Sequence, residues 1–443
     1  MSDARWFDER FMSLALALGR RGLGNAWPNP AVGAVVVRHD GEPVIVGRGW
    51  TQPGGRPHAE TEALRRAGAA ARGATLYATL EPCSHQGKTP PCTDAIIAAG
   101  IARVVSAIED PNALAGRGHA LLRECGIAVH VGVGAAEARR AHAGHIRRVC
   151  DHRPHVSLKL AVSADGKAGL ADRKPVSITG EAARARVHLM RAMNDAILVG
   201  VGTALADDPQ LTCRLPGMAA FSPVRVVLDA GLQLPVTATL VRSARETPLW
   251  VIADERAPAE AEAVLVARGV EVFRIPASSP SPLVGEGWGG GSRDYGAAVP
   301  PSPTPTPSRA EPRYSDGAGT QRSDRNRQQP ISVGGGEKAA DRPSASRRPS
   351  IRARLDLSAA LRLLAEQGIT RLMVEGGPTV AAAFLTADLV GEAVLLRGQT
   401  LIGPDGIDAL EALPLAALTA SPKLRSLGIE TVGADTLETF ERP

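Results

Sequence analysis

Residues 57–60 read P-H-A-E, and residues 81–92 read E-P-C-S-H-Q-G-K-T-P-P-C, so a short stretch brings together one histidine, two cysteines and a glutamate that a fold must close around. Neutral imidazole and thiolate are preferred zinc ligands, and a catalytic zinc keeps three protein ligands with a fourth position open. His58, Cys83 and Cys92 supply three, which leaves Glu60 free to carry protons. The pattern is close to H-x-E…P-C-x-x-C, with eight residues rather than two between the cysteines. Those eight include His85 and Lys88, two potential cations whose place beside a metal suggests an anionic substrate group such as a phosphate. The competing reading is a structural zinc site or a pair of buried thiols. A structural site would want a fourth Cys or His close by, and the fourth candidate here is Glu60.

A chain of 443 residues has room for two or three domains. With 44% apolar residues but only 3% aromatic ones, their cores must be aliphatic. No run approaches the roughly 20 apolar residues of a membrane span, and the first ten residues are charged, unlike a signal peptide. Two of the five cysteines lie in the metal motif, which predicts a reducing compartment, the cytoplasm, rather than a disulfide framework. Cys125, Cys150 and Cys213 are isolated and read as packing residues. The net charge of +5 does not point to nucleic acid, because residues 277–350 hold ten Lys/Arg against seven Asp/Glu and so carry three of the five charges. That segment is rich in Pro, Ser, Thr and Gly and has no periodicity, the composition of a disordered insertion.

In chain order, residues 6–22 predict a helix with Phe7, Phe11, Leu14, Ala15 and Leu18 on one stripe. The W-P-N-P-A-V-G stretch leads to a strand at 32–37, and D-G between apolar runs predicts a hairpin with a second strand at 44–49. A helix over 59–71, strands at 75–79 and 103–107 and a helix over 93–99 follow. This places metal ligands at two helix N-termini, where backbone N–H groups favour thiolate over thiol. Gly132-Val133-Gly134 lacks the third glycine of a dinucleotide loop and reads as a turn, while His39, His119, His130, His142 and His145 read as surface residues.

The alternation continues with a strand at 156–162, a turn at 163–167, a helix over 181–193 and an apolar strand at 196–200. That strand runs into V-G-T-A-L-A-D-D-P-Q-L-T-C-R, whose glycine allows close backbone approach and whose Thr203, Asp207, Asp208, Thr212 and Arg214 are too polar for a plain connection. Strands at 224–228, 249–253 and 270–275 and a helix over 258–268 come next. After the insertion come a helix over 357–367 and a strand at 371–375, then G-G-P-T opening a helix. A helix N-terminus of this kind can hold a cofactor pyrophosphate, although G-G alone is equally a plain strand-to-helix turn. Residues 390–402 and 431–440 are read as closing strands.

Taken together, P-N-P-x-V-G, P-H-A-E, E-P-C-S-H-x-G-K-T-P-P-C, S-x-D-G, L-A-D-D-P-x-L-T-x-R and V-E-G-G-P-T, in this order, resemble the bifunctional riboflavin-biosynthesis deaminase–reductase family. The resemblance spans the chain apart from 277–350 and implies two α/β domains. Residues 1–150 would form a cytidine-deaminase-like three-layer α/β/α domain, and residues 151–443 a dihydrofolate-reductase-like α/β domain carrying the insertion. It implies hydrolytic deamination of a diamino-(phosphoribosylamino)pyrimidinone with zinc, Glu60 moving the protons, followed by NADPH-dependent reduction of the ribosyl group to ribityl. By resemblance, Asn29 contacts the base and His85 and Lys88 the phosphate. Ala161, Ser177, Thr203, Asp207, Gly377, Pro378, Thr379, Val380, Ala381, Ala382 and Ala383 contact NADPH, and Arg191, Leu211, Arg214 and Glu375 contact the second substrate.

The chain departs from the family pattern at four places. Ser177 stands where a Trp stacks near the cofactor, Pro175 where a Ser binds substrate, Ala230 where a Ser lies near the cofactor, and Thr51 where a His often precedes P-H-A-E. The expected partners are small molecules and a second copy of the chain, with neither nucleic acid nor membrane. A nucleobase deaminase acting on nucleic acid is the rival enzyme reading, and it would want aromatic residues for stacking that this composition lacks. A scaffold with a structural zinc is the non-enzymatic one.

Overall fold

The computed structural model describes residues 3–171, 176–276 and 355–443. The expected insertion at 277–350 and the departure at Pro175 lie outside the described residues. The chain opens with α1 (Asp3–Gly19), continued by a 3₁₀ turn at Arg20–Gly22. Phe11, Met12, Ala15, Leu16 and Leu18 of α1 are buried against β1 (Gly33–Arg38), β2 (Val44–Trp50) and β3 (Thr75–Ala78). Between β2 and β3 lies α2 (Ala59–Ala67), and after β3 come α3 (Cys92–Ala98), β4 (Arg103–Ser106), α4 (Gly118–Glu124), β5 (Ala128–Val131), α5 (Ala135–Ala141) and α6 (Ala143–Asp151).

These five strands form one sheet in the order β2-β1-β3-β4-β5. β1 is antiparallel to β2 and β3, while β3, β4 and β5 are parallel. α2, α3 and α4 touch in succession, and α1 touches α5, so a helical layer lies on each face. Two glycines set the spacing of those layers. A Cβ on Gly33 would lie 1.9 Å from the Ala15 carbonyl oxygen, and one on Gly49 2.2 Å from that of Ala59. Gly49 therefore seats the first turn of α2, and with it His58, directly on β2.

The remaining described elements are β6 (His155–Val162), β7 (Lys167–Gly169), α7 (Glu181–Ala192), β8 (Ala196–Gly200), α8 (Val201–Asp207), β9 (Val224–Leu228), α9 (Thr239–Arg242), β10 (Leu249–Asp254), α10 (Ala259–Val266), β11 (Glu271–Ile275), α11 (Leu357–Glu366), β12 (Arg371–Val374), α12 (Pro378–Thr386), β13 (Glu392–Arg397), β14 (Ile407–Asp408), α13 (Ala416–Thr419), β15 (Arg425–Val432) and β16 (Asp435–Glu441). Nine strands form one sheet in the order β11-β10-β9-β8-β12-β6-β13-β16-β15. It is parallel from β11 to β13, with an antiparallel hairpin at one edge. Alternate side chains enter opposite cores, Leu198, Val226 and Ile252 on one face and Ile197, Val227 and Val251 on the other, as period-two strands covered on both faces require.

The two closing segments differ from expectation. Residues 431–440 are not one strand: Gly433, at φ +67°, turns the chain between β15 and β16. The strand expected over 390–402 stops at Arg397, where Gly398 packs so closely that a Cβ would sit 1.8 Å from the Ile178 carbonyl oxygen.

Candidate active sites

His58 is the N-cap residue of α2, and Cys92 is the first residue of α3. Cys83 lies in the loop between β3 and α3, directly before the eight-residue segment that carries His85 and Lys88. His58 Nδ1 is 3.2 Å from Cys92 Sγ and 3.6 Å from Cys83 Sγ, and the three donor atoms all lie within 4.8 Å of one another. Tetrahedral zinc with bonds of about 2.0 Å to nitrogen and 2.3 Å to sulfur sets N and S ligands about 3.6 Å apart. The donor set and its spacing therefore fit zinc. The Cys92 thiol, helped by His58 and the Cys92 N–H, holds the Cys83 thiol down at about 4 against the effect of burial. Glu60 is buried in the first turn of α2, and burial pushes its carboxyl up to about 7 while His58 pulls it down. A carboxyl placed there can take and return a proton near neutral pH.

Asn29 approaches the same ring from the other side, its Nδ2 3.3 Å from His58 Nε2 and donating to the Gly55 carbonyl at 2.9 Å. Gly55 has φ +83°, and a Cβ there would lie 2.8 Å from the Asn29 side chain, so the approach needs glycine. His85 and Lys88 lie in the exposed part of the loop. They are joined by a cation that the motif did not single out: Arg56 donates to Thr89 Oγ1 at 2.8 Å. Thr51 is a buried brace, donating to the Pro30 carbonyl at 2.9 Å and accepting from Val32 N–H at 3.0 Å.

Three of the five histidines read as surface residues are buried: His119, His142 and His145, while His39 and His130 are exposed. Isolated histidines carry no sequence signal of burial, but here two serve strand ends and the third the loop after β4. His119 Nε2 is 2.8 Å from Ser106 Oγ, His142 Nε2 3.0 Å from Thr79 Oγ1 and His145 Nε2 2.8 Å from Asp110 Oδ1. The buried Glu81 carboxylate accepts from the N–H groups of Asp110 and His119, fixing the loop that bears Cys83. Of the three cysteines read as packing residues only Cys213 is buried; Cys125 and Cys150 are exposed, at the ends of α4 and α6 where the helices meet solvent.

A second polar cluster lies in the nine-stranded sheet. Arg191 on α7 forms a bidentate pair with Glu375 after β12, at 2.7 and 3.0 Å. Lys159 Nζ on β6 is 3.8 Å from the same carboxylate, and burial lowers the lysine pKa. Arg191 also donates to the Thr212 carbonyl at 3.1 Å, and the backbone N–H of Arg214 meets His188 Nδ1 at 3.3 Å. Arg191, Arg214 and Glu375 thus come together. Lys159 and His188 were missed, because each sits singly inside a regular element. The Leu211 side chain belongs to the core, and its left-handed φ of +56° leaves only the backbone to face a ligand. Asp208, at φ +38°, accepts from both N–H and Oγ1 of Thr239, which holds this strained loop in place.

Thr203 on α8 accepts from Gly377 N–H at 3.0 Å, joining it to the N-terminus of α12. Pro378 begins that nine-residue helix. Thr379 and Ala383 are exposed, whereas Ala381 and Ala382 are buried in the core, so any contact they make with a cofactor is through the backbone. The donor-rich turn suits a phosphate. Asp207 and Ser177 are exposed and Ala161 is half-buried. The Ser177 hydroxyl accepts from Arg184 at 3.0 Å, the contact it makes in place of aromatic stacking. Among the described residues no helix is long and apolar enough to cross a membrane.

Comparison with known proteins gives one consistent result. Residues 6–108 match the cytidine and deoxycytidylate deaminase zinc-binding region, and residues 154–278 and 318–437 match the RibD C-terminal domain. The chain is 34% identical to the riboflavin biosynthesis protein RibD of Escherichia coli over 440 residues, 97% of each chain. It is 43% identical to that of Aquifex aeolicus over 270 residues, 61% of this chain and 74% of the other. Among solved structures, Acinetobacter baumannii RibD matches with a TM-score of 0.72 at 28% identity, over 98% of this chain and 99% of that one. The diaminohydroxyphosphoribosylaminopyrimidine deaminase/5-amino-6-(5-phosphoribosylamino)uracil reductase of Thermotoga maritima matches with a TM-score of 0.71 at 30% identity, over 99% and 100%.

Proposed function

The chain belongs to the RibD family of riboflavin-biosynthesis deaminase–reductases, and from that premise we propose which residues carry each of its two reactions and on what. The deaminase substrate is 2,5-diamino-6-(5-phosphoribosylamino)pyrimidin-4-one, whose 2-amino group is exchanged for oxygen by water. The observation that carries this is Glu60, buried beside the His58–Cys83–Cys92 donor set. His58, Cys83 and Cys92 would hold the zinc, which would supply Lewis acidity near neutral pH. Glu60 accepts one proton from the attacking water and delivers it to the ring nitrogen, then takes the remaining hydroxyl proton and delivers it to the amino group, which leaves as ammonia. Asn29 holds the pyrimidine against His58, and His85 and Lys88 hold the phosphate.

The second reaction reduces the ribosyl group of the deaminated product to ribityl. Zinc and a nucleotide cofactor follow from the two matched domains, and NADPH is the nucleotide we propose, as the source of the hydride that goes to C1′. Thr203, Asp207, Ser177, Ala161 and the Gly377, Pro378, Thr379, Val380, Ala381, Ala382 and Ala383 turn would hold it. Arg191, Arg214 and Glu375, with the Leu211 backbone, would contact the substrate, the two guanidinium groups matching the geometry of its phosphate. We place the domain boundary at 150/151, in the last turn of α6. Homo-oligomerisation is supported by the edge strand β15, which exposes Leu427 and Ile429. A two-part assay tests the whole: ammonia release from the diaminopyrimidine, then absorbance loss of NADPH. Absence of ammonia from zinc-loaded protein would sink the first assignment, and ammonia without NADPH oxidation the second.

A further inference from the structure

The segment that carries Asn29 is anchored outside the five-stranded sheet it serves. Trp27, two residues earlier, packs against the core of the nine-stranded sheet. Pro28 lies against the turn between α11 and β12, where a Cβ on Gly368 would be 2.9 Å from Pro28 Cβ and 3.6 Å from the Trp27 ring. Gly24, at φ +75°, lets the start of the same segment close on the end of α7, with a Cβ there falling 2.1 Å from the Ala192 carbonyl oxygen. Arg148 of α6 ties the two together, donating to the Ala365 carbonyl at 2.8 Å and the Pro28 carbonyl at 3.4 Å. Burial lowers the Arg148 pKa. A small polar cavity lined by Asn29, His142, His145, Asp195 and Arg371 sits beneath the strap. On its far side Asn29 meets Gly55 and His58, which lie between β2 and α2 in the first half of the chain.

We propose that Trp27 is a positioning residue for deamination: half-buried against the core of the reductase half, it fixes Asn29 at His58, so the deaminase site is complete only when the reductase half is folded beneath it. The zinc ligands need no such support, because they stand on α2, α3 and the loop braced by Glu81. The dependence falls on substrate placement and not on metal binding. This rests on the assignment of Asn29 to the pyrimidine.

The experiment uses full-length protein carrying Trp27→Ala, Asn29→Ala or both, with zinc content, ammonia-release kinetics and reduction of the deaminated product measured on each. Trp27→Ala is expected to lower kcat/KM for ammonia release at least tenfold, chiefly through KM, with full zinc content and reduction within twofold of wild type. Trp27→Phe should restore most of the loss. Because both residues act on one contact, the double variant should be no worse than Asn29→Ala alone. Multiplying losses in the double variant, unchanged ammonia release in Trp27→Ala, or a parallel loss of zinc and reduction would each overturn the inference while leaving the Asn29 assignment intact. Normal deamination by Asn29→Ala would remove the assignment, and the inference with it. Should Trp27→Ala fail to fold, Arg148→Met in the same cycle carries the test, with a several-fold loss expected and multiplying losses again decisive against it.

Discussion

The two sites are built on opposite plans. The proposed zinc site takes its three donors and the Glu60 carboxyl from residues 58 to 92, two of the four being the N-cap of α2 and the first residue of α3. The proposed reductase site draws Lys159, Arg191, Thr203, Arg214 and Glu375 from β6, α7, α8, a strained loop and the residue after β12. A site written locally is held by helix starts, and its geometry survives as long as those helices do. A site assembled from distant segments is held by sheet order and by buried ion pairs, and each member depends on the rest.

The sharpest way to test that contrast is to remove one group from each site and read both reactions. Glu60→Gln keeps size and burial but cannot carry the proton, so ammonia release should fall by about 10²–10⁴ with reduction unchanged. Similar loss of both activities would break the comparison at once. Arg191→Ala leaves the buried Glu375 carboxylate with Lys159 alone, at 3.8 Å, and losing one partner of a buried pair costs up to about 3–5 kcal/mol. Reduction should become undetectable and thermal unfolding of the second half should come earlier, while zinc content and deamination persist.

Metal removal gives the next comparison. Cys83→Ser should abolish stoichiometric zinc by elemental analysis and with it ammonia release, leaving reduction intact; zinc retained at full occupancy would show that another residue closes the site. Acid provides a milder probe. His142 is buried, its Nδ1 has no hydrogen-bond partner among the described residues, and burial lowers its pKa from 6.5 to about 3. Between those values the unfolded chain binds a proton that the folded one refuses. Stability should thus be full above pH 6.5 and fall by about 1.4 kcal/mol per unit as pH drops toward 3. His142→Leu should flatten that slope in urea titrations, and an unchanged slope would locate the acid sensitivity elsewhere. The smallest effect belongs to Thr203→Val, which removes one hydrogen bond to Gly377 N–H. About 1 kcal/mol corresponds to roughly a fivefold rise in KM for the nucleotide, with deamination untouched.

The same contrast explains what could be seen in the sequence. The zinc donors were legible because metal chemistry dictates residue type and helix starts dictate spacing. Most strand and helix positions followed from alternation and apolar runs. Lys159 and His188 were not legible, since one lysine in a strand and one histidine in a helix look like ordinary members of those elements until sheet order brings them to Glu375 and Arg214. The buried histidines failed for a related reason: a lone imidazole shows nothing of the Thr, Ser or Asp that will meet it. Leu211 was identified by its place in a motif, but the motif could not show that the side chain would turn into the core.

Sheet order has a further consequence, for the timing of folding. β12 lies between β6 and β8 and pairs with both, yet it is made more than 170 residues after β8. The five-stranded sheet has all its strands once residue 131 has emerged, whereas the larger sheet has a gap at its centre until residue 374 has emerged. Pairings of such long sequence separation form late and slowly. Trp27 reaches its seat only when that gap is filled. On the ribosome the zinc ligands can therefore gather early, and a nascent chain would hold metal well before it could orient a pyrimidine.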